Sequence, residues 1–150
     1  MKKFILGLFL ILGAISFAAP KFVDMAKVKN AGYVIKNERE DILTMAISDD
    51  DSAIIISFST ANISSKEISD LLKSNALRNS ENFIATLDNN RAYINEFEAQ
   101  GFYSYMIVPK KEKVKNQHTY ATYVSSKKLS KNDLSKITDA ILDEAESYIK

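Results

Sequence analysis

Apolar residues after position 31 occur in short alternating runs, with two longer stretches of helical spacing. The runs Ile42 to Ile47 and Ala53 to Phe58 flank a polar segment, Ser48 to Ser52, and this pattern predicts a β-hairpin. Because side chains alternate between the faces of a strand, every second apolar residue is a core candidate. These candidates are Leu43, Met45, Ile47, Ile54, Ile56 and Phe58.

Further strand-like runs predict most of the remaining sheet. A short run, Tyr33 to Ile35, precedes the hairpin, and four others follow it: Phe83 to Leu87, Ala92 to Phe97, Phe102 to Val108 and His118 to Val124. Most of the loops between consecutive strands are short. Such loops favour antiparallel pairing, because parallel strands need longer crossovers.

The first helix has a clear start signal in the residues Ile63 to Ile68. Ser64 is placed to accept from the amide three residues on, and Glu67 is placed to reach back to the amide of Ser64. Ile63 and Ile68 fit a hydrophobic staple across this capping box. The pattern predicts a helix from here to about Arg78.

The C-terminal segment repeats this device and continues it into a longer helix. Ser130 is followed three residues later by Asp133, and Leu129 and Leu134 are spaced for a staple. The apolar residues beyond recur at helical spacing, which predicts one buried stripe. The stripe consists of Leu134, Ile137, Ile141, Leu142, Ala145, Tyr148 and Ile149.

The predicted fold is a single α+β domain over residues 19–150. Two amphipathic helices packed on one face of a mainly antiparallel sheet of about six or seven strands form a two-layer sandwich, with the longer helix C-terminal. This element order resembles the Mog1/PsbP-like group of small exported α+β proteins over most of residues 32–149. The resemblance implies a binding or accessory role rather than catalysis.

Residues 1–18 have the pattern of a secretory signal peptide. Lys2 and Lys3 precede an apolar run that is shorter than a membrane-spanning helix requires, and small residues favour cleavage after Ala18 or Ala19. Removal of this segment leaves 18 basic against 19 acidic residues. We therefore expect a periplasmic or secreted protein that meets the membrane only through its signal peptide and does not bind nucleic acid. The abundance of Lys, Asn, Ile and Ser with only three arginines suggests a bacterial source.

Several chemistries are excluded by residue type. The chain has no cysteine, one histidine (His118), and no glycine pattern that could cradle a phosphate. The acidic run Asp49 to Asp51 lacks the alternating spacing and glycine of a calcium loop, so a solvated turn is the simpler interpretation. His118 is interpreted as a partly exposed strand-end residue without a catalytic partner. We predict no catalytic residues, metal or cofactor.

Aromatic alternation suggests where a partner could bind. Tyr103 and Tyr105 lie on the opposite strand face from Phe102 and Met106, and tyrosine offers a flat apolar body with a polar tip. If the helices cover the Phe102 face, the tyrosines are exposed. The predicted interaction surface, with a basic rim, consists of Tyr103, Tyr105, Tyr123, Lys110, Lys111 and Lys113.

The sequence thus favours a non-catalytic exported module that binds an envelope protein or a small ligand through its sheet face. Two alternatives remain open at this point: a small envelope hydrolase using Asp and Glu, and a structural or assembly-forming protein.

Overall fold

The computed structural model describes residues 19–150; the predicted signal peptide lies outside the described residues. Its three helices are α1 (Met25–Asn30), α2 (Ser65–Arg78) and α3 (Lys131–Ser147). The seven strands are β1 (Val34–Arg39), β2 (Ile42–Ser48), β3 (Ser52–Thr60), β4 (Asn82–Asp88), β5 (Ala92–Ala99), β6 (Phe102–Pro109) and β7 (Gln117–Ser125).

All seven strands form one antiparallel sheet in the order β1-β2-β3-β7-β6-β5-β4. The predicted α+β class, the antiparallel sheet and the long C-terminal helix are confirmed. β1 runs to Arg39, beyond the predicted apolar run, because backbone pairing with β2 carries its polar second half. Both edge strands contain a bulge, between Ile35 and Asn37 in β1 and between Phe83 and Ala85 in β4.

Both predicted helix caps are present. Ser64 Oγ accepts from the amide of Glu67, and the Glu67 carboxylate accepts from the amide of Ser64 at 2.7 Å, which completes the capping box. The hydrogen bonds that the Glu67 carboxylate accepts from the amide and from the hydroxyl of Ser64 lower the pKa of Glu67, the bond from the amide most strongly. Ser130 Oγ likewise accepts from the amide of Asp133 at 3.1 Å.

The sheet has two buried faces, each with its own helix. On the first, which we call the core face, α3 and α1 cover a cluster that includes Leu43, Ile56, Ile107 and Ile141. On the other, the second face, α2 packs mainly over β5 and β6. Ser69 of α2 accepts a hydrogen bond, through its Oγ, from Asn95 Nδ2 at 3.0 Å.

The two long helices therefore lie on opposite faces, and the prediction that both pack on one face is wrong. β5 shows the reason: Ile94 faces α3, Phe97 faces α2, and both are buried. A strand that is apolar on both faces can be covered by a helix on each side. β5 and β6 are consequently enclosed between two helical layers.

Candidate functional site

The predicted tyrosine surface lies on the core face, beside α3. Tyr105 is only 1% exposed, and its hydroxyl accepts from the amide of Leu129 at 2.8 Å. Its ring stacks on Tyr123, with the centroids 6.4 Å apart, and Tyr103 and Tyr123 are half-buried against the core. The prediction that Tyr105 is exposed is wrong, because a helix covers this side of β6 as well. A binding role for Tyr103 and Tyr123 stays a prediction.

A buried carboxylate lies beside Tyr105. Glu96 pairs with Tyr105 across β5 and β6, and Lys128 Nζ lies 3.5 Å from Glu96 Oε1. Burial raises the pKa of the Tyr105 phenol, and the negative charge of Glu96 adds to this effect. The cluster connects β5, β6 and the segment before α3, and we interpret it as a structural contact rather than a binding site.

The predicted basic rim is partly folded onto the protein. Lys113 Nζ lies 3.4 Å from Glu146 of α3, and Lys110 Nζ lies 5.6 Å from the centre of the Tyr93 ring. Lys111 is exposed. The lysines are therefore divided between a helix contact, an aromatic contact and solvent, and do not form one basic surface beside the tyrosines.

His118 is buried, 3% exposed, although a partly exposed histidine was expected. Its Nε2 lies 2.9 Å from the carbonyl oxygen of Ala61, and its Nδ1 lies 3.5 Å from Glu112 Oε1. Because a carbonyl oxygen only accepts, Nε2 carries a proton. Glu112 also accepts from the amide of Asn116 at 3.0 Å, so the imidazole and this carboxylate together hold the β6–β7 hairpin tip.

A small cavity of about 30 Å³ adjoins His118, Ser65, Glu112 and Glu146. Ser65 and His118 could suggest a nucleophile and a base. However, Nε2 is bonded to a carbonyl oxygen and Nδ1 faces a carboxylate, so neither nitrogen is placed to take a proton from a serine hydroxyl. The cavity is large enough for a water molecule or two but not for an organic substrate.

A larger, open depression of about 630 Å³ lies near the β1–β2 turn, between Lys21, Phe22, Glu40 and Gln117. Arg39 and Asp41 line it and pair with each other at 3.3 Å. Its charges are mixed in sign and its side chains lie at an exposed turn, so nothing in it selects a particular ligand.

The remaining candidate is the part of the second face that α2 leaves bare. α2 packs mainly over β5 and β6, while α1 and α3 pack on the core face, so the second face of β2, β3 and β7 lacks a comparable helical cover. We call this surface the uncovered half-face. It consists of Thr44, Ala46, Ile55, Ser57, Tyr120 and Thr122.

The uncovered half-face carries no charge. On this side of β2, β3 and β7 no residue is Asp, Glu, Lys or Arg, although such residues make up 26% of the chain. Thr44 Oγ1 and Ser57 Oγ lie 3.0 Å apart and share a hydrogen bond. Burial raises the pKa of Tyr120, and hydrogen bonds with Ser57 and Ser59 partly offset this. The surface is thus uncharged and rich in hydroxyl groups, with its two smallest members, Ala46 and Ser57, buried.

Sequence reasoning missed this surface, although its signal was present. The alternate positions Ser57, Tyr120 and Thr122 are visible as uncharged in the sequence. Only the strand order shows that β3 and β7 are neighbours and bring these residues together.

Within residues 19–150, no helix has the length and hydropathy to cross a membrane. Across the same residues, no three His, Asp or Glu side chains are grouped to hold a metal ion. No family model, curated protein or solved structure matches this chain. The resemblance to the Mog1/PsbP-like group stays a prediction.

Proposed function

We propose that this chain is a non-catalytic exported bacterial module, periplasmic or secreted, that binds a protein partner through the uncovered half-face. The observation that carries the proposal is the absence of charge from this side of β2, β3 and β7. The core of a protein interface is depleted of charged residues and enriched in tyrosine, and the uncovered half-face shares this composition, with Tyr120 among uncharged side chains. Export rests on the pattern of residues 1–18.

The alternatives have less support. A small ligand usually occupies a concave site, and the residues of the uncovered half-face line neither of the two cavities described above. For an Asp/Glu hydrolase, the two carboxylates at the small cavity would be the candidates, but both are engaged. Glu112 contacts His118 and the amide of Asn116, and Glu146 contacts Lys113.

A substitution in the middle of the uncovered half-face tests the proposal. Thr122 is half-buried and pairs with Ile55 on one side and Met106 on the other. Thr122→Lys places a charge where a partner would exclude water, so we expect binding to fall at least about tenfold while the melting temperature changes little. Binding is measured as the protein recovered with the purified chain from its native envelope, with quantitative mass spectrometry.

The matched control is Ser135→Lys, which adds the same charge on the solvent side of α3. It should leave recovery unchanged. Equal recovery with Thr122→Lys and the control would contradict the proposal, provided that both variants melt as the wild type does.

A further inference from the structure

We infer that the partner on the uncovered half-face is a second copy of this chain; the inference rests on the proposed function and names its partner. The second face has the shape of a step. α2 raises the side over β5 and β6 by one helical layer, while the side over β2 and β3 stays low. If the two copies are related by a twofold axis that runs parallel to the strands and lies above β7, the second faces meet, and α2 of each copy lies over β2 and β3 of the other. An axis across the strands would instead place α2 against α2.

Exposed apolar side chains lie on both parts of this step. Leu71 and Leu77 of α2 are 53% and 50% exposed, and Val34 of β1, on the second face, is 56% exposed. Helical spacing places Leu71 and Leu77 on the two flanks of the outer side of α2, with Asp70 and Ser74 between them, and Leu71 lies one turn from the buried Ile68. Apolar groups so placed are expected where a helix meets a further surface.

The uncovered half-face, on which α2 of the other copy would lie, suits a symmetric interface. In a twofold dimer the same patch occurs on both copies, so any charge near the axis meets its own equivalent. The uncovered half-face avoids this repulsion, since it contains no charged residue. Thr122 on β7 lies close to the axis.

Charges at the two ends of α2 complement the ends of the low side. The helix begins near His118, at the same end of the sheet as Arg39, and finishes toward the end that carries the β2–β3 turn. An axis parallel to the strands keeps these ends together. Asp70 of one copy, which pairs with Lys66 on its own helix, then lies near Arg39 of the other copy, which pairs with Asp41. At the other end, Arg78 lies near the acidic turn at Asp50. Opposite charges meet at both ends of the interface.

Sedimentation equilibrium of the protein, produced from its full sequence and purified, tests the inference. We expect a dimer at micromolar concentration. Leu71→Lys should raise the dissociation constant at least about tenfold, because the change occurs twice in a twofold interface. Ser135→Lys, on the solvent side of α3, should sediment as the wild type does. A monomeric wild type would overturn the inference, and so would a dimer that Leu71→Lys leaves intact.

A charge reversal tests the orientation of the two copies. Arg39→Asp and Asp70→Arg should each weaken the dimer, by juxtaposing two acids and two bases respectively. The double variant should recover most of the wild-type dissociation constant. Single variants that weaken the dimer without recovery in the double variant would overturn the proposed axis.

The two proposals fail differently. If the wild type is monomeric but Thr122→Lys still abolishes recovery of another protein, the second copy is excluded and the binding surface stands. If Thr122→Lys affects neither sedimentation nor recovery, both proposals are wrong.

Discussion

The two long helices start alike but pack differently. Each begins after an N-cap serine, Ser64 for α2 and Ser130 for α3, whose side chain accepts from the amide of an acidic residue three positions on. The buried side of α3 is mostly large and apolar, as at Leu134 and Ile141. That of α2 has small or polar members, as at Ser69.

The outer sides of these helices differ in the opposite sense. α2 exposes Leu71 and Leu77, whereas no large apolar side chain of α3 is exposed. Carboxylates on α3 are instead tied to the rest of the protein. Arg91 of the β4–β5 turn lies 2.7 Å from Asp143, and the hydroxyls of Tyr33 and Tyr148 donate to Glu144 at 2.9 and 2.8 Å.

The difference is that α3 exposes none of its large apolar side chains, whereas α2 exposes two of its leucines. Burial, together with the shared carboxylate of Glu144, raises the pKa of Tyr148 to about 12 and also raises the pKa of Tyr33, so both phenols stay protonated donors across the neutral range. α3 is thereby fixed by packing and polar contacts together. α2 packs over only part of the second face and keeps Leu71 and Leu77 exposed.

The largest expected contrast is in the free energy of unfolding when a buried isoleucine is truncated under each helix. Ile141→Ala should cost roughly 2–5 kcal/mol, because Ile141 lies in the main core cluster. Ile68→Ala should lie at the low end, about 2 kcal/mol, since its neighbours Ser65 and Ser69 are polar. Urea unfolding of both variants measures the difference. A larger loss for Ile68→Ala would reverse the ranking of the two helices.

A smaller contrast is expected between buried hydroxyls. Ser69→Ala leaves the side-chain amide of Asn95 without one of its partners and should cost about 1–3 kcal/mol. Thr138 of α3 is buried, and its hydroxyl has no hydrogen-bond partner within residues 19–150. Thr138→Val keeps the shape and removes this group, so it should be neutral or stabilise by about 1 kcal/mol. Thermal unfolding measures both changes, with a lower melting temperature expected for Ser69→Ala and an unchanged or higher one for Thr138→Val. A lower melting temperature for Thr138→Val would contradict the argument.

The smallest effect concerns a carboxylate just beyond α2. Burial raises the pKa of Glu81, although a hydrogen bond from Ser104 Oγ at 3.1 Å opposes the shift. The folded state therefore binds this proton more readily than the unfolded state, and ionisation of Glu81 opposes folding as the pH rises through its folded pKa. Glu81→Gln should stabilise the protein at neutral pH, within about 0.5 kcal/mol, and have no effect once Glu81 is protonated. Unfolding measured across acidic and neutral pH checks this; a gain confined to acidic pH would contradict it.

Local structure followed from the sequence because its causes are local. Ser64 and Glu67 form their capping box within four residues, and the turn at Asp49 is closed by its own carboxylate, which accepts from the amides of Asp51 and Ser52. Strand alternation identified Leu43 and Ile56 as core residues without reference to any partner, whereas Ile47, predicted to be core on the same ground, is 40% exposed. Such contacts join residues that are close in sequence, so the local sequence is sufficient to predict them.

The face on which each helix packs was decided only by the tertiary structure. β6 is apolar on both faces, with Tyr105 and Ile107 on one and Val108 on the other, so its sequence does not say which face receives which helix. The burial of His118 likewise depends on Ala61, 57 positions away. The uncovered half-face exists because β3 and β7 pair across the middle of the chain and α2 lies to one side of them. Contacts between residues far apart in sequence depend on the closure of the whole sheet, and no local pattern specifies that closure.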